Sequence, residues 1–200
     1  LQAPPGAGKT TRVPLALIGA LGDEIRRDGR IWMIEPRRLA ARAAAARLAA
    51  SLEEAVGQRI GFAVRGEQRR SARTQVEVIT DGLFLRRLQA DPSLDGVSCV
   101  LFDEFHERRR DADLAFAMLR EAAPLLRPDL SLMLMSATLD IADLRSRLPE
   151  ATVLTSEGRA HPVDTLHQPP RADEPLPQQV LRAVETHGLD LPTGSGVLVF

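Results

Sequence analysis

Short, nearly unbroken apolar runs alternate along this chain with longer segments in which Ala, Leu and Arg recur at helical spacing. The runs at residues 31–34, 76–80, 97–102, 132–136 and 152–154 lack the alternation of a half-solvated sheet and predict buried strands of the parallel kind. Residues 57–65 add a further strand, and the intervening segments 9–21, 37–52, 81–90, 110–123 and 140–147 predict helices. Strand and helix in alternation imply a three-layer α/β sandwich with a mostly parallel sheet. Right-handed crossovers then gather the strand ends at one rim, where ligands bind. From about Gly158 the texture changes. Pro162, Pro169, Pro170, Pro175, Pro177 and Pro192 interrupt the pattern, leaving one short helix near 176–187. Residues 1–157 therefore read as one domain, 158–175 as a linker and 176–200 as the start of a second domain. The chain has no initiator Met and stops in the apolar run 197–200, which reads as a strand cut short within a longer polypeptide.

Composition narrows the class. At 44% hydrophobic and 26% charged residues the chain can bury a core without staples. Its one cysteine, Cys99, lies in an apolar run and reads as a small buried hydrophobe. No disulfide framework is possible, which suits a reducing cytoplasm, and no apolar run reaches the roughly 18 residues of a membrane span. The net charge of −1 conceals an asymmetry: residues 26–87 carry +7 and the remainder −8, so one basic face can meet an anionic partner. Lysine usage is more telling. Of the 26 basic residues 25 are Arg, and the lone lysine, Lys9, sits in the segment GAGKTT. A chain that otherwise uses Arg keeps lysine where a compact ammonium must reach between phosphates.

That segment, APPGAGKTT at residues 3–11, joins a strand end, a turn of small residues and a helix start. Gly6, Ala7 and Gly8 let backbone N–H groups curl around a phosphate, and the helix N-terminus adds partial positive charge. Lys9 contacts the β/γ-phosphates of ATP, the Thr10 hydroxyl ligates Mg2+, and Thr11 continues the loop into the helix. Ala3 occupies the place where the strict pattern has Gly, which is tolerable if its φ stays negative. Further on, the apolar run 97–102 feeds straight into Asp103-Glu104-Phe105-His106. Two adjacent carboxylates at a strand end point apart and can divide labour: Asp103 holds Mg2+ through its water shell and Glu104 orients and deprotonates the attacking water. An acidic helix-capping turn is the rival reading of that pair, and the Lys9-Thr10 loop earlier in the chain weighs against it.

GAGKTT, PRRLA at 36–40, TDG at 80–82, DEFH at 103–106 and SAT at 136–138 stand in the order of motifs I, Ia, Ib, II and III of superfamily 2 helicases. The D-E-x-H box with TDG resembles the DEAH/RHA branch. APPGAGKTT, EPRRLAARAAAARLA, DEFHER and EGRAHPV together look like the bacterial HrpB group of ATP-dependent RNA helicases. The resemblance implies a RecA-like P-loop NTPase domain, followed by the start of a second RecA-like domain as its partner in the same chain. It implies that Arg37, Arg38, Thr80, Asp81 and Gly82 contact the backbone of single-stranded RNA, or of DNA, since phosphate contacts do not distinguish the sugars. It also implies that His106 sits near Ser136 or Thr138 and couples nucleotide state to domain movement. His161 stands where the resemblance leads one to expect an aromatic residue. Arginine fingers of motifs V and VI are missing from this segment, so the fragment alone should hydrolyse ATP slowly or not at all. With no Tyr and a single Trp, Trp32, on a predicted strand, base stacking gives way to backbone tracking. A DNA helicase or translocase is the runner-up, and a nucleotide-switched binding module without strand movement is the rival from another class. A small-molecule kinase has no use for DEFH and SAT.

Overall fold

The computed structural model describes residues 1–20, 29–138, 141–157, 164–171, 173–188 and 194–199. Strand β1 (Arg30–Glu35) is buried from Ile31 to its end because helices cover both faces of its sheet. Strands β2 (Ile60–Val64) and β4 (Val76–Thr80) are buried throughout for the same reason. With β3 (Glu67–Arg69), β5 (Val97–Phe102) and β6 (Ser131–Leu134) they form one sheet in the order β3-β2-β4-β1-β5-β6. Every pairing is parallel except the β2–β3 hairpin. Beyond β6 the segment leading to the glycine turn continues the sheet, with Gln2 bridged in parallel to Ser136 and to Thr155.

Alternate residues of the strands supply two cores. Ile31, Met33, Val78 and Leu101 meet helix α2 (Arg38–Ser51), whose Ala41, Ala44, Ala45, Leu48 and Ala49 form a small-residue stripe at helical spacing. Val13 and Leu17 of helix α1 (Lys9–Ala20) pack on the same side. Trp32, Ile34, Val100 and Phe102 face the other way, toward Phe84 and Leu88 of helix α3 (Asp81–Ala90) and Leu119 of helix α4 (Arg110–Leu126). The result is the expected three-layer α/β arrangement. Strands β1, β4 and β5 all end at one rim, where the starts of α2 and α3 and the DEFH turn lie, because the chain passes from each strand end directly into the next element.

The compact unit Leu1–Ala160 also contains helix α5 (Ile141–Arg147). A second unit, His161–Phe200, holds helix α6 (Leu176–His187), where Arg182 pairs with Glu174 at 2.7 Å.

Several expectations are corrected. Residues 152–154 form no strand; that stretch contributes a single bridge at Thr155, because only Gln2 lies beside it to pair. Strand β6 ends at Leu134 rather than Ser136, which pairs instead with the segment ahead of the glycine turn. Residues 194–199 are not a strand. The hairpin that returns as β3 was not anticipated, since Glu67, Gln68 and Arg69 are polar; they pair on a sheet edge, where polar residues are tolerated. His161 and most of its EGRAHPV segment lie outside the described residues.

Candidate nucleotide and nucleic-acid site

Gly6 and Gly8 hold φ of +78° and +89°, the left-handed region that a side chain disfavours, and the turn closes through Ala7 N–H donating to the Pro4 carbonyl at 3.2 Å. Ala3 keeps a negative φ and is buried, so a methyl group is tolerated where the strict pattern has glycine. Helix α1 starts at Lys9, whose side chain is buried and donates to the carbonyls of Ala3 at 2.6 Å and Pro4 at 3.1 Å. An ammonium has three donors. Here two rest on the loop itself, in the space over which a phosphate would lie. Thr11 follows with its N–H on the Gly8 carbonyl at 3.1 Å.

The loop meets the acidic box directly. The Thr10 hydroxyl donates to Asp103 Oδ2 at 2.5 Å, across 93 residues of sequence. Asp103 is buried; its N–H donates to the Ile34 carbonyl at 3.0 Å, and its Oδ1 accepts the Glu104 N–H at 2.9 Å. Glu104 then leaves the strand in left-handed backbone (φ 49°, ψ 38°), and Arg108 does the same (φ 48°) after the short 3-10 turn Phe105–Glu107. Each such residue costs about 1–3 kcal/mol, and here packing holds the turn in place. The Phe105 ring is wedged edge-to-face against Phe102 at 6.0 Å and Phe116 at 5.5 Å, while its N–H donates to the Met135 carbonyl at 3.1 Å. Glu104 lines a cleft of about 330 Å³ together with Thr10, Glu35, Arg37 and Glu107.

Thr10 and Asp103 are hard oxygen donors already within hydrogen-bond reach of each other, a set that suits Mg2+ completed by water and phosphate. Among the described residues no three His, Cys, Asp or Glu are grouped to hold a metal by themselves. Nearby, Glu35 closes β1 and is buried; that burial, with Asp103, Glu104 and Glu107 around it, pushes its carboxyl up to about 9 in the absence of a cation. Burial also pushes the Cys99 thiol, remote from this cleft in the core, up to about 11, as befits a packing residue.

His106 Nε2 lies 3.4 Å from Glu104 Oε2, while the Ser136 hydroxyl, fully buried, donates to the Thr138 carbonyl at 2.7 Å. The Phe105 N–H on the Met135 carbonyl joins the box to the segment leading into SAT, and His106 Nδ1 is buried without a hydrogen-bond partner.

The basic candidates divide as well. Arg37 precedes α2 and is 70% exposed at its side chain, with Glu107 at 3.3 Å; Arg38 begins the helix and is exposed. Neither α2 nor α3 has a hydrogen bond from its N-cap side chain; the start of α2 is open to an anion, whereas at α3 the Gly82 N–H is taken by Asp81. Thr80 stands at the α3 boundary, half-way between strand and helix, with its side chain largely buried. The Asp81 carboxylate is buried, accepts the Gly82 N–H at 2.7 Å and pairs with Arg109 at 2.6 Å. That pairing raises the Arg109 guanidinium further above its ordinary range. An anionic carboxylate does not grip phosphate, so Asp81 can serve here only by orienting its neighbours. Arg42 is tied to Glu67, and Arg87 is tied to the fully buried Glu77 at 2.8 Å and lies over the Trp32 ring. Sequence reasoning missed Glu35, Glu107 and Arg109. A charged residue ending an otherwise apolar strand, as in RIWMIE, was the available signal for the first.

With this geometry in hand, comparison with known proteins is informative. The family profile of the DEAD/DEAH box helicases matches residues 1–146. The ATP-dependent RNA helicase HrpB of Escherichia coli (strain K12) is 47% identical over 169 residues, covering 84% of this chain and 20% of the relative. The ATP-dependent RNA helicase HrpA homolog of Haemophilus influenzae is 36% identical over 183 residues, 90% of this chain and 14% of that protein. The crystal structure of the E. coli DEAH/RHA helicase HrpB matches with a TM-score of 0.85 at 43% identity, over 95% of this chain and 24% of that one. The chain thus spans 20% and 14% of the lengths of these two curated relatives. Its RecA-like α/β fold is shared with that structure.

Proposed function

The chain belongs to the DEAD/DEAH box helicase family, and from that premise we propose that it is the ATP- and nucleic-acid-binding half of an ATP-dependent RNA helicase. Residues 1–157 are the first RecA-like domain, 158–175 a linker and 176–200 the beginning of the second. The observation that carries the reading is the Thr10–Asp103 hydrogen bond, which brings the phosphate loop and the acidic box to one point at the sheet rim.

In this reading Lys9 leaves the carbonyls of Ala3 and Pro4 for the β/γ-phosphates, while Gly6, Ala7, Gly8 and Thr11 present backbone N–H groups to them. Thr10 and Asp103 hold Mg2+, which when bound neutralises charge on the phosphate oxygens. Glu104 orients the attacking water and accepts its proton. His106, released from Glu104, signals toward Ser136 and Thr138. Arg37, Arg38 and the open start of α2 track the strand backbone, with Thr80, Asp81 and Gly82 at the start of α3 shaping the second grip. Arginine fingers from a second RecA-like domain complete the catalytic cleft. A single buried cysteine and the absence, among the described residues, of any helix long and apolar enough to cross a membrane fit work in the cytoplasm.

ATP hydrolysis by the full-length protein, measured with single-stranded RNA, single-stranded DNA and neither, tests this. RNA should raise turnover. Equal stimulation by DNA would widen the substrate to either strand, stimulation by neither would favour a nucleotide-switched binding module, and no hydrolysis under any condition would remove the reading.

The strand contacts have their own test. Single-stranded nucleic acid loses about 0.7 units of log affinity per log salt for each phosphate contact. Replacing both Arg37 and Arg38 by Ala should therefore flatten the salt dependence of RNA binding by about 1.4 units. A slope equal to wild type would exclude them from the interface.

A further inference from the structure

Two buried glutamates in this sheet face opposite circumstances. Glu77, fully buried on β4, is met by Arg70 at 3.2 Å and Arg87 at 2.8 Å, as a structural carboxylate in a core requires. Glu35, only 3% exposed at the end of β1, pairs with no Lys or Arg among the described residues, and the groups that act most strongly on it are the carboxylates of Asp103, Glu104 and Glu107. Strands β1 and β5 run parallel with Ile34 opposite Phe102, and Asp103 N–H donates to the Ile34 carbonyl at 3.0 Å. Glu35 and Asp103 therefore stand next to each other at the ends of two paired strands. Glu35 also lines the cleft that contains Thr10 and Glu104. Arg37 meets Glu107 and His106 lies beside Glu104, but among the described residues no cation meets Glu35 or Asp103, beside the point where a triphosphate would arrive.

We propose that Glu35 is a positioning residue of the Mg2+ site: its carboxylate accepts hydrogen bonds from water on the ion held by Thr10 and Asp103, and so fixes the ion against the phosphates. The proposal rests on the nucleotide-binding reading above. Mg2+ keeps several of its waters in nucleotide sites, and among the described residues no three acidic or His/Cys side chains are arranged to hold the ion by themselves and replace those waters. A nearby carboxylate thus acts through those waters. Outer partners of this kind typically contribute about 10–100-fold in metal affinity.

The test is Mg2+ titration of fluorescent ATP-analogue binding to the full-length protein, comparing wild type with Glu35→Gln and Glu35→Asp. In the Gln variant the Mg2+ midpoint should rise about 10–100-fold, while Mg2+-free nucleotide binding is unchanged, because the side chain keeps its size and acts only through water on the ion. A purely structural role would weaken both. Glu35→Asp, which keeps the charge but withdraws it by one methylene, should give an intermediate midpoint. A wild-type midpoint in Glu35→Gln overturns the proposal. Should the Gln variant fail to fold, the Asp variant decides in the same way, a shifted midpoint supporting the role and a wild-type one ending it. Wild-type nucleotide binding that ignores Mg2+ would instead defeat the underlying nucleotide reading, an outcome distinct from one in which wild type and Glu35→Gln respond alike.

Discussion

Glu104→Gln in the full-length protein is expected to bind ATP as wild type does and to hydrolyse it about 10²–10⁴-fold more slowly, the usual contribution of a positioned general base. The substitution keeps the size of the side chain and removes its basicity. It also leaves intact the contacts that shape the turn: the Phe105 wedge between Phe102 and Phe116, and the Glu104 N–H on Asp103 Oδ1 at 2.9 Å. Binding and turnover should therefore separate. Glu104 is held in left-handed backbone and lines the cleft that Thr10 also lines. Filter binding and single-turnover hydrolysis measure the two quantities. Unchanged turnover would take the water-activating role from Glu104.

Lys9→Ala should weaken ATP binding about 100-fold, the equivalent of two charge-assisted hydrogen bonds at roughly 1.5 kcal/mol each. Lys9→Arg should not restore it. The ammonium sits in a buried slot, 2.6 Å from the Ala3 carbonyl, where a planar guanidinium finds neither the room nor the point-like reach. In the nucleotide-free protein the Ala variant leaves the carbonyls of Ala3 and Pro4 without the lysine, so a thermal melt should accompany the binding titration to show that the loop still folds. Full affinity in a folded Lys9→Ala protein would place the nucleotide elsewhere.

Much of this was legible in the sequence because local chemistry specifies it. Helix α3 and strand β5 fall on the residues expected, 81–90 and 97–102, since an apolar strand or helix face is punctuated there by Asp81, Asp91 and Gly96. The glycine turn and the DEFH box were readable for the same reason, each being a short pattern whose backbone requirements are written in its own residues. What was not readable depends on register between distant segments. Whether residues 152–154 form a strand is decided by how much chain lies beside them, and only Gln2 does. The partner of His106 depends on where the left-handed Glu104 swings, and in this structure it swings toward the imidazole. Glu35 lies just past the run 31–34 that predicted the strand; only the alignment of β1 with β5 makes it the neighbour of Asp103. Asp81, read as part of a phosphate grip, is instead committed to Arg109, a residue that no spacing rule connects to it.

The most direct measurement is a crystal structure of the full-length protein with Mg2+ and a non-hydrolysable ATP analogue. It should show Lys9 Nζ transferred from the Ala3 and Pro4 carbonyls to the β- and γ-phosphates, with the ion between the Thr10 hydroxyl and Asp103 in place of their present 2.5 Å hydrogen bond. A nucleotide bound away from this rim, with Lys9 still on its loop carbonyls and Thr10 still on Asp103, would contradict the account.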